Sequence, residues 1–120
     1  AQCYWLAEWL KLPEVLKALS LSTEQAEKWR CKSPAVKDWI PWAQSKRLTI
    51  LPKNCILHAA DIVVYSYSHI ELVADDDGTE SGPFIAIGAN TSKAGSRDGE
   101  GCWEAPRTRK SVKAFIRVLP

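Results

Sequence analysis

The spacing of apolar residues changes once along this chain, and the change limits the folds that the chain can adopt. Before Leu48, apolar side chains recur every three or four positions, as they do on one face of an α-helix. After it, β-branched residues cluster in short runs bounded by turn residues, as in Asp61–Tyr65. Helices followed by strands are typical of an α+β domain, whereas a βαβ protein alternates them. We therefore expect N-terminal helices packed on a mostly antiparallel β-sheet.

The helical half contains recognisable start signals. A first helix is expected at Cys3–Lys11 and a second at Pro13–Leu19, because proline is tolerated in the first turn of a helix. Ser22, with Gln25 three residues later, fits a capping box, in which each side chain bonds the backbone N–H of the other residue. A third helix should therefore follow Ser22 and end near Arg30.

A fourth helix is expected to begin at Ser33 and Pro34, with serine at the cap and proline at the first helical position. It should run through Ile40. The next residue, Pro41, should kink or end the helix, because proline lacks the backbone N–H that a helix interior requires.

The second half should supply four strands and a long loop. The strands are expected at Asp61–Tyr65, His69–Val73, Pro83–Ile87 and Val112–Val118. The run Asp75–Gly78 has turn chemistry, and it lacks the later ligand positions of a calcium-binding EF-hand loop. The segment Thr91–Arg109 is rich in glycine and polar residues, so we expect an exposed loop that could border a substrate groove.

The bulk composition narrows the possible classes of function. With 120 residues, the chain has the size of one domain, so we expect a single domain over residues 1–120. Its 16 basic and 14 acidic residues leave a net charge of +2, which is too balanced to indicate binding to nucleic acid. No apolar run approaches the ~20 residues of a membrane-spanning helix, so no span is expected.

Four cysteines are present, at positions 3, 31, 55 and 102. They could form two disulfides in three possible connectivities, or remain thiols, because a domain of this size can fold without bridges. Their wide spacing lacks the C-x-x-C pairs of zinc sites, so no metal site is expected.

Amide hydrolysis by a thiol needs a nucleophilic sulfur, a base that takes its proton and a group that orients the base. Cys3 is a candidate nucleophile because it lies at the expected start of the first helix. Unpaired backbone N–H groups at that position stabilise a thiolate and a developing oxyanion. On position alone, an inert buried cysteine or a disulfide partner is the commoner outcome.

Only two histidines are present to act as the base. His69 begins an expected strand, where its side chain can point at the end of a helix packed across the sheet, whereas His58 lies in an irregular approach to the sheet. Asn90, at the end of the third expected strand, could orient the imidazole through its side-chain carbonyl. The alternative interpretations are a surface histidine and a turn asparagine.

The same residues resemble a known family. Ala60–Tyr65 and Ser68–Val73 are similar to the "GD-apolar-apolar" and "SH-apolar-G-apolar-apolar" signatures of CHAP and NlpC/P60 cysteine peptidases. Gln2–Trp9 resembles the family's helix that begins with the nucleophile. Further similarities to endolysin-type CHAP domains occur at Ala89–Ser92, Gly95–Gly99, Arg107–Arg109 and Ala114–Arg117. The resemblance covers nearly the whole chain and keeps the family's order of cysteine, histidine and polar residue.

This resemblance implies a papain-like fold and a cysteine peptidase or amidase that hydrolyses amide bonds of bacterial cell-wall peptidoglycan. Cys3 would be the nucleophile, His69 the base and Asn90 the orienting residue, with no cofactor. The implied partners are the peptide stems of peptidoglycan, and further domains or an immunity or inhibitor protein are additional candidates. The implied location is extracellular, periplasmic or at the cell wall, or the protein is phage-encoded.

Departures from the family pattern fall close to the expected site. Gly88 stands where many members carry a glutamate two residues before the asparagine, so the usual acidic orienting residue is missing. Glu71 replaces a frequent small residue after the histidine, and Ala60 replaces the glycine of the "GD" pair. One alternative is therefore a non-catalytic papain-like domain that binds the wall or a protein. A secreted antibacterial amidase toxin with the same chemistry is a further alternative.

Two aromatic residues are candidates for substrate binding. Trp103 falls in the expected polar loop, where an exposed ring could stack on a sugar, and Tyr67 stands close to the candidate base. Trp5, Trp9 and Trp39 fall on apolar helical faces instead, so these are expected in the core.

Overall fold

The computed structural model describes residues 2–89 and 102–119 of the chain. Its helices are α1 (Gln2–Trp9), α2 (Pro13–Leu19), α3 (Thr23–Trp29) and α4 (Trp39–Ser45), and a 3₁₀ turn at Val36–Asp38 precedes α4. Its strands are β1 (Thr49–Leu51), β2 (Ile62–Tyr65), β3 (Ile70–Asp76), β4 (Phe84–Ala89), β5 (Cys102–Arg107) and β6 (Val112–Arg117). Among these residues every helix precedes every strand, so the expected α+β class is confirmed.

The strands form one antiparallel sheet in the order β1-β6-β2-β3-β4-β5. β2 lies inside the sheet, paired with β6 on one side and β3 on the other. All residues of β2 are buried, as expected of a strand that is covered on both faces. A short turn over residues 66–68 leads from β2 to β3, and the backbone N–H of Tyr65 donates to the carbonyl oxygen of His69 across it.

Alternate strand residues point to two apolar layers on opposite faces of the sheet. On the helix side, the strand residues are Ile62, Val64, Ile70, Leu72 and Ile116, which pack with Cys3, Leu6, Leu10, Trp39 and Ala43. On the far side, the layer contains Leu57, Val63, Tyr65, Val73, Phe84, Ala86, Val112 and Phe115. The helices therefore cover one face of the sheet, as the sequence predicted.

The capping box at the start of α3 is confirmed. The backbone N–H of Gln25 donates to Ser22 Oγ at 3.1 Å, and the backbone N–H of Ser22 donates to Gln25 Oε1 at 2.8 Å. Pro13 occupies the first turn of α2, also as expected.

Within the described residues, no helix has both the length and the apolar character needed to cross a membrane.

The fourth helix begins later than the sequence predicted. Ser33 Oγ accepts the backbone N–H of Ala35 and donates to the Asp38 carboxylate at 2.6 Å, so this serine organises the 3₁₀ turn instead of capping an α-helix. α4 begins at Trp39, which places Pro41 in its first turn. There a missing backbone N–H costs no helical hydrogen bond, so the prediction that Pro41 kinks or ends the helix is wrong.

The expected loop at Thr91–Arg109 contains a strand, so that prediction is wrong for residues 102–107. β5 pairs with β4 along its whole length. Because β5 is an edge strand, it accommodates Pro106 and exposed polar residues such as Glu104; residues 91–101 of the expected loop lie outside the described part of the chain. β3 likewise continues through Asp76, so the expected turn at Asp75–Gly78 is shorter than predicted.

Three tryptophans stabilise the segment that leads into α4. Trp29, Trp42 and Trp39 pack edge to face, with ring centroids 5.1 and 5.6 Å apart. The indole N–H of Trp42 donates to the carbonyl oxygen of Trp29 at 2.7 Å, and that of Trp39 donates to the carbonyl oxygen of Ser33 at 3.2 Å. Because Trp39 is fully buried, these contacts hold residues 33–38 against the helical layer beside Cys3.

Candidate functional site

One pocket, of about 290 Å³, brings together the two residues that the sequence proposed as nucleophile and base. Cys3 enters it from the start of α1, and His69 enters it from the position just before β3. Ser68 and the segment 34–37 complete the described lining. We call this the Cys3–His69 pocket.

Cys3 is the second residue of α1 and only 2% of its surface is exposed. Burial raises the pKa of its thiol above the ordinary value. Cys3, Cys31 and Cys55 are free thiols, whereas the side chain of Cys102 lies outside the described part of the chain. Cys3 is therefore a buried free thiol that keeps its proton at neutral pH.

His69 is held in place by aromatic packing and by its own backbone. Its ring lies nearly parallel to that of Tyr67, with an interplanar angle of 6° and 5.7 Å between centroids. It also stacks on Tyr65 at 5.5 Å, and its backbone N–H donates to the carbonyl oxygen of Tyr67. These contacts restrict the orientation of the imidazole.

A buried carboxylate bonds to the imidazole. His69 Nε2 lies 2.9 Å from Oε2 of Glu71, a residue that is 3% exposed. Arg107 donates to both oxygens of the same carboxylate, from Nε at 2.9 Å and from Nη2 at 2.8 Å. The hydroxyl of Tyr65 donates to Oε1 at 2.6 Å. Both Glu71 oxygens are thus hydrogen-bonded, as a buried charge requires.

This environment keeps Glu71 ionised. Burial alone would raise the pKa of the carboxyl, but the hydrogen bonds from Arg107, His69 and Tyr65 outweigh it and lower the pKa to about 2. Burial and the neighbouring Glu71 raise the pKa of Tyr65, so its hydroxyl keeps the proton that it donates. The carboxylate is therefore a permanent acceptor for the imidazole N–H at neutral pH.

A glycine provides the space for this carboxylate. β4 lies between β3 and β5, so the side chain of Arg107 has to cross β4 to reach Glu71. Gly88 of β4 lies opposite Glu71 by the register of the two strands, and a Cβ added to it would lie 2.9 Å from Glu71 Oε2. A side chain at position 88 would therefore displace the carboxylate from His69 and Arg107.

The sequence alone did not identify Glu71 as a site residue, because this glutamate stands where the resembled family often has a small residue. A usable signal was present. Residues two apart in a strand point to the same face of the sheet. The expected strand His69–Val73 therefore places the side chains of Glu71 and His69 on one face, in an otherwise apolar run. The structure thus places a carboxylate on the strand opposite Gly88, within hydrogen-bond distance of His69.

The remaining candidates are placed as follows. Tyr67 is 53% exposed and stacks on His69, whereas Trp103, 57% exposed on β5, is not among the described residues that line the Cys3–His69 pocket. His58 is exposed at the far end of β2, where its backbone N–H donates to Asp61. Asn90 lies outside the described residues, so its role stays a prediction.

Residues 2–89 and 102–119 hold no group of three or more histidine, cysteine or acidic residues arranged to bind a metal ion.

The low pKa of Glu71 predicts a pH-dependent stability. Its folded pKa of about 2 lies below the ordinary 4.5, so between these values the unfolded chain binds more protons and stability rises with pH. The contribution should be complete above pH 4.5 and lost as the pH falls to about 2; it is on the order of 3 kcal/mol.

Urea unfolding of the wild type and of Glu71→Gln between pH 2 and 6 measures this contribution. The glutamine variant cannot titrate, so we expect its unfolding free energy to change less over this range. Equal pH slopes in the two proteins would contradict the assignment of this carboxylate.

Neither a family model, nor a curated protein, nor a solved structure matches this chain.

Proposed function

We propose that the chain is a cysteine amidohydrolase that cuts amide bonds in the peptide part of bacterial cell-wall peptidoglycan. The main support is that Cys3 and His69 line one pocket while His69 Nε2 bonds to the buried carboxylate of Glu71. A sulfur, an imidazole and an orienting carboxylate are the groups that thiol-dependent acyl transfer requires. The resemblance to CHAP and NlpC/P60 peptidases supports the choice of substrate.

The carboxylate selects which imidazole nitrogen acts as the base. With the Nε2 proton shared with Glu71, the lone pair of a neutral ring is on Nδ1, the nitrogen left for the thiol. Arg107 shares the same carboxylate, so much of its negative charge is neutralised. Glu71 therefore acts mainly by fixing the tautomer and orientation of His69, which makes it a positioning residue.

The reaction would follow the usual course of thiol acyl transfer. Nδ1 of His69 takes the Cys3 proton, and the thiolate attacks the carbonyl carbon of the amide. Unpaired backbone N–H groups in the first turn of α1 stabilise the oxyanion. The imidazolium then protonates the leaving amine, and a water activated by the same histidine hydrolyses the thioester. Because burial raises the pKa of the Cys3 thiol, attack depends on His69.

The first prediction tests the nucleophile. Cys3→Ala should abolish digestion of purified cell walls, followed by loss of turbidity and by mass spectrometry of the released fragments. Cys31→Ala is the matched control, since Cys31 is also a buried free thiol, but it does not line the pocket with His69. Circular dichroism would establish that both variants fold. Digestion by folded Cys3→Ala at the wild-type rate would reject this function.

A second candidate function is a non-catalytic domain that binds the wall or a protein. The 2% exposure of Cys3 and the raised pKa of its thiol favour it, because both describe an unreactive sulfur. An antibacterial toxin, by contrast, would use the same chemistry as a wall enzyme and would act on the same polymer. A wall substrate implies that either enzyme works outside the cytoplasm or is released from a phage-infected cell.

Alkylation separates the enzyme from the binding domain. We expect iodoacetamide near neutral pH to modify Cys3 faster than Cys31 or Cys55, and His69→Ala to slow the modification of Cys3 selectively, because the imidazole promotes formation of the thiolate. Peptide mass spectrometry resolves each site. Equally slow labelling of the three cysteines, unchanged in His69→Ala, would favour the non-catalytic domain.

The positions of Glu71 and Gly88 offer a test of the positioning role. These residues face each other on β3 and β4, so a carboxylate at position 88 should reach the space that Glu71 now occupies. Glu71→Gly should lower kcat roughly 10²-fold with little change in KM, as expected of a misplaced catalytic base. The double variant Glu71→Gly with Gly88→Glu should recover part of that loss.

Gly88→Glu alone is the matched control, because it sets two carboxylates against each other and should be less active than the double variant. The pH dependence of kcat should differ between Glu71→Gly and the wild type, because Glu71 bonds to the imidazole that acts as the base. A purely structural role of Glu71 would leave this pH dependence unchanged. A double variant no more active than Glu71→Gly, although folded, would show that the carboxylate does not position His69.

A further inference from the structure

A second pocket, of about 400 Å³, adjoins the Cys3–His69 pocket. The two share Val36, Lys37 and Ser68, so they are neighbouring parts of one groove. We call the second one the Lys113 pocket. Its other described lining residues are Ile40, Pro41, Val64, Tyr65, Ser66, Tyr67 and Lys113. A ligand long enough to span the groove would reach both pockets at once.

The lining of the Lys113 pocket combines an apolar surface with positive charge. Val36, Ile40 and Val64 supply aliphatic surface, and Ser66 and Ser68 supply hydroxyl groups. Lys37 and Lys113 both have exposed side chains, and no acidic residue is among the described residues that line this pocket. Lys37 also lies 3.4 Å from Asp38, an exposed and therefore weak pair. The pocket thus favours an anion with an aliphatic body.

Tyr67 connects this pocket to the catalytic histidine. Its ring lines the Lys113 pocket and at the same time stacks on the ring of His69. A ligand that packs on Tyr67 therefore also restrains the imidazole. One extended substrate could therefore bind in the Lys113 pocket while its amide bond is cut in the Cys3–His69 pocket.

We propose that the Lys113 pocket binds a carboxylate-bearing residue of the peptide substrate, next to the amide that is cut. Lys113 and Lys37 pair with the free carboxylate, and the aliphatic part of that residue packs on Val36 and Ile40. The substrate class is accordingly an acidic peptide. This assignment rests on the proposed function for the cut bond, but the preference for a carboxylate depends only on Lys37 and Lys113.

The test measures binding without turnover. The Cys3→Ala protein is titrated by calorimetry with a short alanine- and glutamate-containing peptide that has free carboxylates, and with the same peptide in which they are carboxamides. Two exposed ion pairs should make the acid bind roughly tenfold more tightly than the amide at low salt, and added salt should reduce the difference.

Lys113→Met combined with Lys37→Met should remove the preference for the acid and leave the affinity for the amide unchanged. Lys110→Met is the matched control, because this exposed lysine in the β5–β6 turn is not among the residues that line the pocket. Equal affinity for acid and amide, or a preference that survives the loss of both lysines, would overturn the proposal.

These outcomes are independent of the test of the proposed function. A preference for the acid that depends on the lysines supports the pocket even if Cys3→Ala digests cell walls at the wild-type rate. If instead Cys3→Ala is inactive and binds both peptides equally, the enzyme is supported and this substrate site is rejected.

Discussion

The candidate site depends on the hydrogen bonds that the buried carboxylate of Glu71 accepts. Four hydrogen bonds from three side chains meet on its two oxygens. An ionised group this deep in a protein is tolerated only when it is paired and fully hydrogen-bonded. The hydrogen bonds to this carboxylate join the end of β2, the start of β3 and the end of β5. The position of the His69 ring follows from the hydrogen bonds that the buried charge needs.

The proposed nucleophile, Cys3, is placed by a different part of the fold. Cys3 belongs to the apolar layer between helices and sheet, and the segment opposite it is held by the tryptophan contacts around Trp39. The groove therefore forms where a hydrophobic helical layer meets a polar network at the end of the sheet. The helical layer buries the protonated thiol of Cys3, and the polar network orients the imidazole of His69, the proposed base.

Much of the local structure could be predicted from short-range rules. The capping box at Ser22 and the strands around β2 and β3 follow from hydrogen-bonding chemistry and apolar spacing within a few residues. The errors at Pro41 and β5 share one cause. A proline or a polar residue has a different meaning in a first helical turn or an edge strand than in the interior, and that position depends on the neighbouring elements.

The sequence by itself determined the α+β order, the identity of the candidate sulfur and imidazole, and the fact that Glu71 shares a strand face with His69. Only the tertiary structure decided that this glutamate bonds to the imidazole. Arg107 and Glu71 are far apart in the chain and meet across β4, where Gly88 leaves room for the Glu71 carboxylate. Strand order and the space above a glycine are set by long-range pairing, which the apolar spacing of a single strand does not encode.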